Sequence, residues 1–125
     1  MIQTSRTLAV SIPFLLLAGC SLYDCGNEIC QRFDSRSGRY KILKFSRDCG
    51  ATTGFSTQIS ILPIAKNLSN EESGNVFVCN AYINDTSVKV QWNNDSSVMI
   101  IYKKDLKILK NDSAINGIKI KYQIE

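Results

Sequence analysis

At 125 residues, with 15 Lys and Arg against 11 Asp and Glu, the chain carries a formal charge of +4, too mild a balance to argue for nucleic acid as a partner. It contains no histidine, which excludes Ser-His-Asp and Cys-His nucleophile activation, HExxH metalloprotease chemistry and His-based zinc catalysis. No dinucleotide-binding glycine fingerprint, P-loop or EF-hand spacing occurs either.

The first twenty residues read MIQTSRTLAVSIPFLLLAGC, with Arg6 the only charge and an apolar run from Leu8 to Ala18 that only Ser11 interrupts. At about 1.5 Å per residue the run covers roughly 16 Å, half of the ~30 Å hydrocarbon core, so it predicts a signal-peptide helix and not a permanent span. Its end, Leu17-Ala18-Gly19-Cys20, resembles the lipobox of bacterial lipoproteins. That resemblance implies a diacylglyceryl group on the Cys20 thiol, cleavage before Cys20, and membrane attachment through palmitate-type chains. Each buried CH₂ contributes about 0.8 kcal/mol and a single chain holds only marginally, so two or three chains make a stable anchor. Ser21 stands where an Asp commonly retains such proteins at the inner membrane, which implies the outer membrane, with the domain facing the periplasm. Three segments are expected: the signal peptide over 1–19, a lipidated tether over 20–38, and one antiparallel β domain over 39–125.

Loss of residues 1–19 from 125 leaves 106, enough for one core and too few for two. Arg6 leaves with the signal, and twelve of the 14 remaining basic residues cluster in two stretches. Six lie between Arg32 and Arg47 and six between Lys103 and Lys121, read as solvated strand surfaces that discourage edge pairing. Four cysteines remain, Cys25, Cys30, Cys49 and Cys79, an even number for an oxidising compartment, where two disulfides are the expectation. Their spacing lacks the CxxC knuckles of a Cys₄ zinc site, so no metal or other cofactor is expected. Of the three possible connectivities, Cys25 with Cys49 and Cys30 with Cys79 is preferred, because it ties the membrane-proximal segment to the sheet.

Order is expected to begin after a turn at Ser35 to Gly38. Arg39 to Arg47 mixes aromatic and β-branched residues with Lys and reads as a strand, as does Thr57 to Ile64 with Ile59 and Ile61 on one face. A polar loop over Lys66 to Gly74 leads to another apolar run, Asn75 to Ile83. Val88, Val90 and Trp92 alternate with Lys89 and Gln91, and Asn93 to Ser97 turns the chain into Val98 to Tyr102, which predicts a hairpin with Trp92 in the core. Lys103 to Lys110 is read as strand, followed by a turn at Asn111 to Ser113. Ile118, Ile120, Tyr122 and Ile124 alternate with Lys119, Lys121 and Gln123, the pattern of a strand with one buried face. Together these predict an all-β fold, a small antiparallel β-sandwich or open barrel. N-x-Ser/Thr triplets at Asn67, Asn84, Asn94 and Asn111 are read as turn chemistry.

Glu71 and Glu72 sit side by side in the polar loop, a poor scaffold for the fixed separation that a glycosidase pair needs, so no catalytic residue is assigned and no enzyme is expected. The candidate binding loop is Arg47 to Thr53, RDCGATT. In it Arg47, Asp48, Gly50, Thr52 and Thr53 offer a cation, an anion, a permissive backbone and two hydroxyls; the plainer alternative is that Cys49 staples a wide turn whose threonines cap their own backbone. The stretch SRSGRYKILKFSRDCGATTGFSTQISIL, with GNVFV and VKVQWNNDSSVMIIY, resembles an uncharacterised family of small bacterial lipoproteins, a domain of unknown function, over residues 35–102. The family implies an architecture and no activity; the turn SRSG stands where it usually carries Pro-Asp. The expected role is a non-enzymatic accessory lipoprotein that binds an envelope protein or cell-wall component. The alternative is a lysozyme-inhibitor-like periplasmic lipoprotein, for which SRSGRY at residues 35–40 offers a superficial likeness to an inhibitory loop.

Overall fold

The computed structural model describes residues 25–50, 54–80 and 86–125. The segment expected to be a signal peptide, the expected lipidation position Cys20, and Thr52 and Thr53 lie outside the described residues. Nine strands form among the described residues: β1 (Gly26–Asp34), β2 (Tyr40–Asp48), β3 (Phe55–Pro63), β4 (Phe77–Cys79), β5 (Val88–Asn94), β6 (Ser97–Tyr102), β7 (Ile108–Asn111), β8 (Ala114–Ile115) and β9 (Ile118–Ile124). They make two packed sheets, one of five strands in the order β1-β2-β3-β4-β7 and one of four in the order β5-β6-β9-β8. The all-β sandwich expected from alternation and turn spacing is what forms.

Between the sheets lies one apolar core, in which Ile42, Ile59, Val76, Phe77, Val98 and Ile100 are fully buried. Phe77 is its aromatic centre, with ring centroids of Tyr102 at 5.8 Å and Tyr122 at 6.1 Å. β2 and β3 are buried on both faces, since each lies between two other strands and the outer face is covered as well. Leu43, Phe45 and Leu62 form a second, smaller cluster beneath Leu68 of the loop that joins β3 to β4. Two side chains link β5 to the facing sheet: Lys44 Nζ donates to the Val88 carbonyl, and Trp92 Nε1 donates to the Phe33 carbonyl at 2.9 Å.

Several expectations are corrected. The tether assigned to 20–38 contains β1, which pairs with β2 from Gly26↔Asp48 to Asp34↔Lys41. The polar composition of β1 suits an edge strand with most of its side chains in solvent. The sheets are not wholly antiparallel, because β6 and β9 run parallel, Ser97↔Lys119 to Tyr102↔Ile124. A parallel neighbour requires a crossover, and here the chain leaves β6, adds β7 to the other sheet, and returns through the β8–β9 hairpin. Lys103 to Lys110 is strand only from Ile108, with turn residues at Lys104 and Asp105. Lys41 and Lys44 are not solvated, at 4% and 5% exposure, because β2 is an interior strand. Ile124 is exposed at the end of β9.

Of the two expected disulfides, Cys25 to Cys49 forms. It extends the β1–β2 ladder by one position beyond Gly26↔Asp48, where facing side chains are close enough to bridge. Cys30 and Cys79 are not bonded to each other. Cys30 is the extra residue of a β-bulge on β1, and β2 and β3 separate it from β4. Three strand spacings amount to about 14 Å, twice the reach of a disulfide.

Candidate functional site

The loop singled out in the sequence turns its described polar groups inward. Arg47, at the end of β2, places Nη1 2.9 Å from Asn27 Oδ1 on β1 and 3.0 Å from the carbonyls of Asn70 and Glu72. Asn27 completes the clasp: its amide N donates to Asn70 Oδ1 at 3.0 Å, and its Nδ2 to the carbonyls of Ser69 and Glu72 at 2.8 Å. Asn27 and Arg47 are cross-strand partners, so both side chains leave the sheet on the same outer face, where the loop of Leu68 crosses. Asp48 Oδ1 accepts from Gly50 N at 3.0 Å, closing a local turn, and Gly50 adopts φ 121°, a conformation open to glycine. Arg47 and Asp48 thus hold structure, Arg47 through three bonds and Asp48 through the local turn.

Glu72 accepts from the Ser69 amide and pairs with Lys66 at 3.3 Å, and these contacts, the amide first, hold its carboxyl below the usual carboxylate range. Cys30 lies beside Lys44, its Sγ donating to the Lys44 carbonyl at 3.3 Å. Burial pushes this thiol up against the lowering influence of the Lys44 charge, which disfavours a reactive thiolate.

A concave feature lies at one end of the sandwich, where the β1–β2 turn meets the β5–β6 turn. It is a half-open cleft of 540 Å³ lined by Asp34, Arg36, Trp92, Asn93, Asn94 and Asp95. The first turn is built by serines and one glycine: Gly38 N donates to the Ser35 carbonyl, Tyr40 N to Ser35 Oγ, and Gly38 adopts φ 76°. The second turn follows a bulge between Trp92 and Asn94, a device that re-aims side chains, and is closed by Asn94 Oδ1 accepting from Ser96 N at 2.9 Å and Ser96 Oγ at 3.1 Å. Asp95 Oδ1 accepts from Ser37 N at 3.1 Å and fastens the two turns together. Asp34 is positioned by Arg32 at 2.7 Å, and this hydrogen bond, more than the bare charge, holds its carboxyl below the usual range. The exposed Arg36 guanidinium has no partner among the described residues.

Trp92 is half-buried and packs against the core, as its place in the alternating strand predicts, yet it also forms a wall of this cleft. None of the cleft residues belongs to the loop chosen from the sequence. The two turns are 58 residues apart at the Ser37–Asp95 contact, and no local pattern reports that they meet. The only signals are the run Asn93-Asn94-Asp95 beside the single tryptophan, and an unpaired Arg in a tight turn. The arrangement suits non-covalent recognition through an aromatic surface and planar polar groups. No family model, curated protein or solved structure matches the chain.

Proposed function

We propose that this chain is an exported lipoprotein, anchored through Cys20, whose β-sandwich is a non-enzymatic binding module for an envelope component. The observation that carries the binding half is the end cleft: a volume within the ~300–1,000 Å³ range of small-ligand sites, with convergent polar groups around an aromatic wall. The anchoring half rests on the sequence ending in Cys20 and is consistent with the Cys25–Cys49 disulfide, a bond suited to an oxidising compartment. The outer membrane facing the periplasm is the location that Ser21 supports.

The cleft is preferred over the RDCGATT loop because Arg47 and Asp48 are already engaged. The lysozyme-inhibitor-like alternative draws on the turn at 35–40. There Ser35 is buried and bonded to Tyr40 N and Ser37 Oγ, and its hydroxyl is therefore withheld from an enzyme cleft although Arg36 and Arg39 are exposed, which leaves that reading the weaker. Palmitate labelling and membrane fractionation of cells producing the wild-type chain and Cys20→Ala test the anchor. Labelled wild type in the outer membrane and an unlabelled variant are expected; equal labelling of both refutes it.

A further inference from the structure

We infer that the end cleft is a saccharide-binding site for an uncharged sugar chain, an inference that rests on the binding-module reading and names its ligand class. Trp92 offers carbon surface alone, because its only polar atom, Nε1, is spent on the Phe33 carbonyl. A pyranose ring has C–H faces that lie against such a surface, while its ring of hydroxyls needs paired donors and acceptors at the rim. The rim supplies those groups: the Arg36 guanidinium, the Asn93 amide, the Asn94 Nδ2 and the second carboxylate oxygen of Asp95, while Asp34 is held by Arg32, Asn94 Oδ1 by Ser96 and Asp95 Oδ1 by Ser37.

The charge of the cleft favours the same class. Asp34 and Asp95 oppose Arg36, with Arg32 already paired to Asp34, so neither a strong anion nor a strong cation finds a complementary field. A purely apolar ligand would leave the rim unpaired. An extended peptide relies on free main-chain donors, and here the turn amides are consumed: Ser37 N by Asp95, Gly38 N by Ser35, and Ser96 N by Asn94. Because the cleft is half-open, it holds a stretch or an end of a chain without enclosing it.

Trp92 is the only tryptophan of the chain, so its emission reports on the cleft. The full chain in mild detergent is titrated with N-acetylchitotetraose, cellotetraose and, as the peptide control, tetra-alanine. A saturable change in emission with at least one saccharide, at a Kd of about 10 μM to 1 mM, is expected, with none from tetra-alanine. Arg36→Ala and Asn93→Ala, both exposed and without backbone contacts, are expected to weaken it about tenfold each while leaving the melting temperature unchanged. No saturable response to either saccharide at about 10 mM, a response to tetra-alanine alone, or full affinity in both variants overturns the inference. Failure here removes the saccharide class and with it the support for a binding cleft, but leaves the Cys20 anchor, which labelling decides on its own; loss of labelling conversely leaves the cleft chemistry untouched.

Discussion

Replacing Arg47 by Met keeps the aliphatic stem and removes three hydrogen bonds, to Asn27 Oδ1 and to the Asn70 and Glu72 carbonyls. The bond to Asn70 is exposed and water replaces it at little cost, whereas the other two are partly buried and each contributes about 1 kcal/mol. The expected loss is about 2 kcal/mol, which with a urea m-value of about 1–2 kcal/mol/M lowers the midpoint by roughly 1–2 M. Hydrogen exchange adds a local readout: the amides of residues 69–72 should open about thirtyfold more readily, because the loop is held to the sheet by this clasp. Asn27→Ala combined with Arg47→Met should cost less than the sum of the two, as both act on the same loop. A change below about 0.5 kcal/mol with unaltered exchange over 69–72 would refute the structural role and return Arg47 to the candidate ligand residues.

Gly74→Ala should cost about 1–3 kcal/mol in denaturant unfolding, because a Cβ there meets the Phe77 carbonyl at 2.7 Å and the Ile59 carbonyl at 2.9 Å, backbone that must shift. The pair Cys25→Ser and Cys49→Ser, closing a separation of 24 residues, should lose about 3 kcal/mol, and reduced wild type should match it in the same assay. Burial, then Asp112 and Tyr102, push the Tyr122 phenol well above its ordinary value, while its hydroxyl donates to the Asp112 carbonyl at 2.6 Å. A raised folded value means the contribution is complete below the unfolded value of about 10 and is lost as pH climbs above it. Thermal melts should therefore show the advantage of wild type over Tyr122→Phe fading above pH of about 10, and a constant difference up to pH of about 11 would contradict this. Trp92→Phe, which removes the donor to Phe33 and leaves that carbonyl unpaired, should lower stability by about 1–2 kcal/mol by chemical denaturation.

Strands with a strict period of two were legible in the sequence. Val88, Val90, Ile118 and Ile120 all fall on the core face, and the Trp92-bearing hairpin forms at its expected place. β1 was hidden because an edge strand needs few apolar side chains; only Phe33 of its residues packs against the core. The β8–β9 hairpin went unread although Asn116-Gly117, at φ 50° and 80°, is a strong turn signal, since β8 has only two residues to display alternation. The parallel β6–β9 pairing and the depth of Lys44 depend on which strands become neighbours, a property of topology that local pattern does not carry. The same holds for the site. Arg47 draws attention as a charge beside two glycines, yet its partners lie in a loop more than twenty residues away, and the cleft joins two turns that look like ordinary connections.

The most direct test of a binding module that works through its end cleft is amide shift mapping of the ¹⁵N-labelled chain, in detergent, during titration with N-acetylchitotetraose and cellotetraose. Shifts confined to residues 34–37 and 92–96 are predicted, the two turns joined by Asp95 and Ser37. Shifts centred on residues 47–50, or none at saturating saccharide, would contradict the account.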